Sequence, residues 1–163
     1  MNKILIVILF SLLSISLWAQ PTELKNYIKY SEMQFTWWMF DVYKVSLWAE
    51  RKDFPDYTKP FALRYEYQRD VTAAQLVETT KEEWARLKLC DSKQRAEWGK
   101  LLEKIWPDIS KGDSLCAWYD GTSTHFYQKN RRLGSIEAPE FSKAFFQIWL
   151  HENSQCKELR KAL

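Results

Sequence analysis

Apolar and polar side chains alternate most cleanly near the middle of the chain. Tyr43, Val45, Leu47 and Ala49 share one parity, and Lys44, Ser46 and Glu50 the other. Phe61, Leu63, Tyr65 and Tyr67 alternate in the same way with Arg64, Glu66 and Gln68. Such alternation is that of strands with one covered face. Just upstream, Phe35 to Trp38 is bulky and apolar on nearly both parities, which predicts a strand buried on both sides. Asp53-Phe54-Pro55-Asp56 predicts a loop between the two alternating segments.

At Thr72 the period changes. Thr72-Ala73-Ala74-Gln75 has the form of a capping box, and Val71 and Leu76 form a hydrophobic staple around it. Leu76, Thr80, Trp84 and Leu87 then make one stripe, so residues 73–88 read as an amphipathic helix. A second helix is expected from Ser92 to Trp106, with Trp98, Leu101, Leu102 and Ile105 inward and Pro107 as its stop. Lys111-Gly112-Asp113 turns the chain into a hairpin. Its arms are Leu115–Tyr119 and Thr122–Tyr127, joined by an Asp120-Gly121 turn. Pro139 opens a helix that carries Phe141, Ala144, Phe145 and Ile148 on one face, and a short tail helix starting near Ser154 carries Leu159 and Leu163. The order predicts an α+β fold, an antiparallel β-sheet packed against a layer of α-helices.

The N-terminus follows different rules. Lys3 precedes an apolar run from Ile4 to Leu13, then Ser14 and Ser16, then Trp18-Ala19-Gln20-Pro21. That layout predicts a secretory signal peptide over residues 1–19 and a single domain over 20–163. An uncleaved anchor is the alternative, but the apolar stretch is shorter than the ~20 residues of a spanning helix, which favours removal and leaves no expected membrane span. A periplasmic or secreted protein follows. In an oxidising compartment Cys90, Cys116 and Cys156 could pair, Cys90 with Cys156 being the preferred pairing and three reduced thiols the alternative.

Composition narrows the chemistry. With 24 basic and 21 acidic residues the formal net charge is only +3, and acids are interspersed through most of the chain. Lys129, Arg131, Arg132, Lys157, Arg160 and Lys161 therefore read as solvated surface, with no nucleic-acid partner. The 4 glycines are too dispersed for a phosphate loop or dinucleotide fingerprint, and 2 histidines offer little for a metal, so no cofactor and no metal are expected. What the chain has in abundance is aromatic surface, with Trp 9, Tyr 8 and Phe 9.

Three local features carry candidate chemistry. A two-residue Asp120-Gly121 turn sets Cys116 opposite His125, a thiol beside an imidazole, or else one small and one polar residue in an aromatic patch. Asp41 interrupts an apolar run between Phe40 and Val42 and reads as a bulge turned to solvent, the alternative being an inward polar group with a partner. Arg69 ends a strand just before the helix cap, where it either pairs with Asp70 or meets a ligand carboxylate, and Arg64 lies on the outer parity of the same strand.

Trp38-Met39-Phe40-Asp41-Val42-Tyr43-Lys44-Val45-Ser46-Leu47-Trp48 resembles the W-x-F-x-V-Y-x-A-x-L-Y strand of bacterial chalcone isomerase-like proteins, departing at Val45 and Trp48. Similar segments follow in order. They include Arg69-Asp70-Val71, Glu83-Trp84, Trp106-Pro107-Asp108, Lys111-Gly112-Asp113, Leu133-Gly134 and Phe141-Ser142-Lys143-Ala144-Phe145-Phe146. The resemblance implies an antiparallel sheet wrapped by helices with an apolar cleft between them. It sets Lys29, Asp41, Thr72 and Thr79 where the catalytic arginine, threonine, tyrosine and asparagine of plant chalcone isomerases stand, so the family's catalytic chemistry is not kept. For the fatty-acid-binding relatives it makes Tyr43, Arg64, Arg69 and Thr79 the ligand-binding candidates. The expectation is an exported, non-catalytic binder of a small apolar or amphipathic molecule such as a fatty acid. One alternative is an isomerase acting on a phenolic or enone substrate, with Lys29 and Thr79 as polarising donors. The other is a structural envelope module whose aromatic surface binds another protein.

Overall fold

A computed structural model describes residues 21–50 and 57–161. The predicted leader (1–19), the Asp53–Asp56 loop and Leu163 lie outside the described residues. Six strands follow one another across a single antiparallel sheet in chain order, β1-β2-β3-β4-β5-β6. They are β1 (Ile28–Trp37), β2 (Phe40–Ala49), β3 (Phe61–Tyr67), β4 (Ser114–Tyr119), β5 (Thr124–Gln128) and β6 (Arg131–Ile136). Helices α1 (Ala73–Arg86) and α2 (Ser92–Ile105) come between β3 and β4, and α3 (Pro139–Leu150) and the short α4 (Lys157–Arg160) follow β6.

The alternating segments do what their parity requires. Val45, Leu47, Phe61, Leu63, Tyr65 and Tyr67 enter one core with the buried faces of the helices, including Trp84, Leu102, Phe141, Phe145 and Phe146. On the opposite face a smaller cluster gathers Ala62, Cys116 and Tyr127 beneath Leu24 and Tyr27 of the N-terminal segment, with Trp48 and Trp118 against it. Among the described residues the α-helices thus cover one side of the sheet, and the short 3-10 helix Thr22–Leu24 lies against the other.

Both long helices start on reciprocal caps. The Thr72 hydroxyl accepts from Gln75 N–H while the Thr72 N–H donates to the Gln75 side chain, as expected. Asp91 and Gln94 build the same device on α2. Trp84 of α1 meets Trp98 of α2 at 5.6 Å and Phe141 of α3 at 5.9 Å between ring centres. These edge-on contacts lock the three helices to one another and fix the wall they present to the sheet.

The sequence expectations need correction at several places. Leu101 is exposed, and Val77 joins Thr80 and Trp84 as a buried residue of α1 while Leu76 stays half-buried. Phe35–Trp38 is not a doubly buried strand, because it ends an edge hairpin whose turn stands in solvent. Arg131–Ile136 is a strand that the sequence reading did not include, and Arg131 and Arg132 at its start are exposed, as expected of solvated surface. The cysteines are free thiols, so Cys90 and Cys156 are not bridged.

Candidate functional site

A cleft of about 420 Å³ lies between the helix-facing side of the sheet and helices α1 and α3. Tyr43, Tyr65, Tyr67, Leu115 and Phe126 line it from the sheet, and Phe145, Ile148 and Trp149 from α3. Trp37, Arg69, Asp70, Gln75, Thr79 and Glu82 form its exposed rim. This volume falls within the range of small-molecule sites.

Aromatic contacts hold the sheet side in place. Phe35 stacks on Tyr43 with ring centres 4.9 Å apart, and Tyr65 packs against Trp149 at 4.9 Å. Trp149 Nε1 donates to Tyr43 Oη across 3.1 Å, which joins the sheet to α3. Burial pushes the hydroxyls of Tyr43 and Tyr65 well above the usual phenol range and raises that of Tyr67 as well. All three are therefore neutral phenols at physiological pH. Burial also drives the Cys156 thiol up to about 12, so this cleft residue is no thiolate nucleophile near neutrality.

Two polar atoms in these walls stand out. Among the described residues, Tyr65 Oη and Trp106 Nε1 are buried with no hydrogen-bond partner. An indole N–H can only donate and a neutral phenol has a proton to give, so both call for an acceptor. A buried polar group without one costs about 1–3 kcal/mol. Alternation already placed Tyr65 inward. Trp106 is the C-cap of α2, held there by its own N–H on the Leu102 carbonyl at 2.8 Å and by Pro107 behind it. No motif marked either residue as polar equipment, because their lack of a partner emerges only from the packing.

The predicted residues divide between this cleft and other surfaces. Tyr43, Arg69 and Thr79 line it. Arg64 does not; it shares the opposite face with Ala62, where its Nε stands 3.6 Å from Glu66. Lys29 pairs with Glu32 at 3.0 Å on the edge strand, and Thr72 is spent on the α1 cap. Asp41 sits at an irregularity where Phe35 faces Tyr43 but Thr36 faces Asp41, leaving Val42 as the extra residue of a bulge. Its carboxylate is exposed and accepts from the Thr36 hydroxyl at 2.8 Å, which is the solvent-turned bulge expected. Lys29, Asp41, Thr72 and Thr79 are thus not brought together. Asp70, the expected partner of Arg69, accepts from the Lys111 N–H at 2.7 Å, while Arg69 sits 5.8 Å from the centre of the Phe40 ring. Glu83 lines the cleft and is held by Arg86 at 2.6 Å.

The Cys116–His125 pairing is absent. Tyr119 faces Thr124, so the loop is Asp120–Ser123, and His125 falls opposite Trp118 while Cys116 faces Tyr127. Asp120 causes the longer turn, because its Oδ1 accepts from both the Thr122 and Ser123 N–H groups at 2.8 Å. Its other oxygen engages His125 Nε2 at 2.7 Å.

A family model described as chalcone isomerase-like matches residues 36–163. The chain belongs to the chalcone isomerase-like family. A relative from Haemophilus influenzae, described as an uncharacterized protein, is 26% identical over 130 residues. That alignment covers 80% of this chain and 64% of the relative, so the chain spans just under two thirds of the relative's length. The crystal structure of a fatty-acid binding protein of Arabidopsis thaliana shares the fold with a TM-score of 0.64 at 12% identity, covering 85% of this chain and 84% of its own. The chalcone isomerase-like fold is therefore present from sheet to helix layer, and the cleft lies between these two layers.

Proposed function

We propose that this chalcone isomerase-like chain is a non-catalytic binding protein for a small amphipathic molecule, a fatty acid or a compound of similar shape. The observation that carries the reading is the pair of buried, unpartnered donors, Tyr65 Oη and Trp106 Nε1, in the walls of a cleft otherwise built of aromatic and aliphatic side chains. Those walls favour a hydrocarbon body, and the two donors favour an oxygen-bearing group on it. Neutral phenols and an indole hold a carbonyl or carboxyl oxygen without a buried cation, and Arg69 on the rim adds the only kind of charge that would attract a free carboxylate. A fatty-acid binding protein with this fold supports the choice of ligand class.

Mass spectrometry of the organic extract of the recombinant protein tests the reading. A co-purified molecule with a hydrocarbon chain and an oxygen-containing head is expected. An extract empty of such molecules, together with no heat of binding for long-chain fatty acids, overturns it. Export belongs to the same proposal. N-terminal sequencing of the protein from its native host is expected to begin at Gln20, and an intact Met1 would refute cleavage.

A further inference from the structure

Hairpin turns of two residues favour glycine or asparagine where the backbone enters the left-handed region. The β1–β2 turn has neither. Trp37 pairs with Phe40, the turn is Trp38-Met39, and Trp38 carries a φ of 58°. A bulky side chain is disfavoured at such a φ, and strain of this kind concentrates at working surfaces. Nothing in the fold compensates for it by burying the ring. Trp38 is 85% and Met39 91% exposed, with Trp37 and Phe40 more than half exposed on either side.

The turn also stands clear of the sheet. The β2–β3 ladder ends at Tyr43 facing Tyr67, with one more bond from Gln68 N–H to the Val42 carbonyl, so residues 36–41 run on as a two-stranded ribbon. Its end is apolar and its base is polar. Thr36 and Asp41 are hydrogen-bonded to each other directly behind Trp37 and Phe40, and the Arg69 guanidinium lies against the Phe40 ring. A narrow cap of two tryptophans, a methionine and a phenylalanine above a polar collar has the layering of a bilayer interface. There, indole rings sit at headgroup level and apolar side chains beneath. Two residue pairs of strand reach about 7 Å, within the depth at which interfacial elements lodge.

We propose that the Trp37–Phe40 hairpin tip docks into the surface of a lipid bilayer. Trp38 and Met39 enter the acyl boundary, and Arg69 meets headgroup phosphates at the collar. Asp41 stays at the same level with one carboxylate oxygen taken up by Thr36. Because Trp37 belongs to both the tip and the cleft rim, docking brings the mouth of the cleft against the lipid. Docking itself depends on the tip alone, whereas its use for loading an amphipathic molecule rests on the function proposed above.

Flotation with phosphatidylcholine vesicles, with and without phosphatidylglycerol, tests this on delipidated protein whose N-terminus is as the cell leaves it. The wild type is expected to float with both vesicle types and to remain bound in high salt, since the contact is chiefly apolar. The Trp38→Ser/Met39→Ser variant should bind at least about tenfold more weakly. Trp38→Gly should raise the melting temperature, by relieving the turn, and still weaken binding, which separates docking from folding. Wild type and double variant floating equally, or a wild type that stays below the vesicles, overturns the proposal. Concentration-dependent self-association that the double variant abolishes, without vesicle binding, would assign the tip to a second copy instead. Vesicle binding with an empty organic extract would leave the tip's role standing while removing the proposed cleft ligand.

Discussion

The Trp149 indole on α3 and the Tyr43 hydroxyl on β2 meet across the cleft at 3.1 Å, the indole donating. This bond fixes the separation of the two walls where the aromatic rings are densest. Tyr43→Phe keeps the ring and its stacking on Phe35 but strands the Trp149 N–H. We expect a loss of about 1–3 kcal/mol in urea denaturation, with Trp149→Phe also destabilising.

Arg64 and Arg69 sit five positions apart and should behave oppositely. Arg64→Ala removes a buried side chain from the face away from the cleft and leaves Glu66 without its ion pair. It should cost about 2 kcal/mol or more and leave fatty-acid affinity unchanged. Arg69→Ala alters an exposed rim position. It should stay within about 0.5 kcal/mol of wild-type stability and weaken binding of a fatty acid relative to the matching alcohol. Paired denaturation and calorimetry on both variants would show the two effects.

Tyr65→Phe isolates the proposed anchor. Removing a buried hydroxyl that has no partner should leave stability unchanged or raise it by up to about 1 kcal/mol. Displacement of a fluorescent fatty acid by oxygen-headed competitors should become weaker, while displacement by an unsubstituted hydrocarbon stays the same.

Asp120 gives the fold a pH-dependent element. Burial pushes its carboxyl upward, but His125 and the Ser123 and Thr122 N–H groups outweigh that and hold it well below the usual carboxylate range. A depressed folded-state value means that the stabilisation is complete above the unfolded carboxylate pKa of about 3.9 and is lost as pH falls toward the folded value. Asp120→Asn should therefore be less stable by about 1–2 kcal/mol at neutral pH. The gap should narrow steadily below about pH 4 in acid denaturation curves.

Gly99 lies inside α2, where a methyl group would meet Lys81 Cδ at 3.1 Å. That contact is with a flexible side chain able to swing outward, so the helical preference of alanine should prevail. Gly99→Ala is expected to stabilise by up to about 1 kcal/mol, visible as a rise in melting temperature.

Periodicity revealed most of the interior. The inward parity of β2 and β3, the capped start of α1 and the Pro139 start of α3 all rest on local chemistry that a chain displays residue by residue. The β4–β5 register was hidden because Asp120 uses its side chain to build a longer turn, and Asp-Gly alone does not reveal that. Phe35 to Trp38 misled for a different reason. Continuous bulk usually means burial, and here much of the bulk faces outward at the end of an edge hairpin. Tyr65 was legible as an inward residue and Trp106 only as the end of a helix, and an unmet hydrogen bond depends on what stands around an atom in three dimensions. Arg64 was drawn toward the site by its charge, although its parity already assigned it to the other face.

Strands that lie side by side in their order along the chain have a kinetic consequence. No strand of this sheet waits for a distant segment before finding a neighbour, and only β3 and β4 are separated by helices. The loop-closure entropy paid before each new pairing is therefore small along most of the sheet. Such a topology has low contact order for so β-rich a domain and belongs toward the faster end of mixed α/β folding rates. The slowest step should be the closure that carries α1 and α2 back to lay β4 against β3.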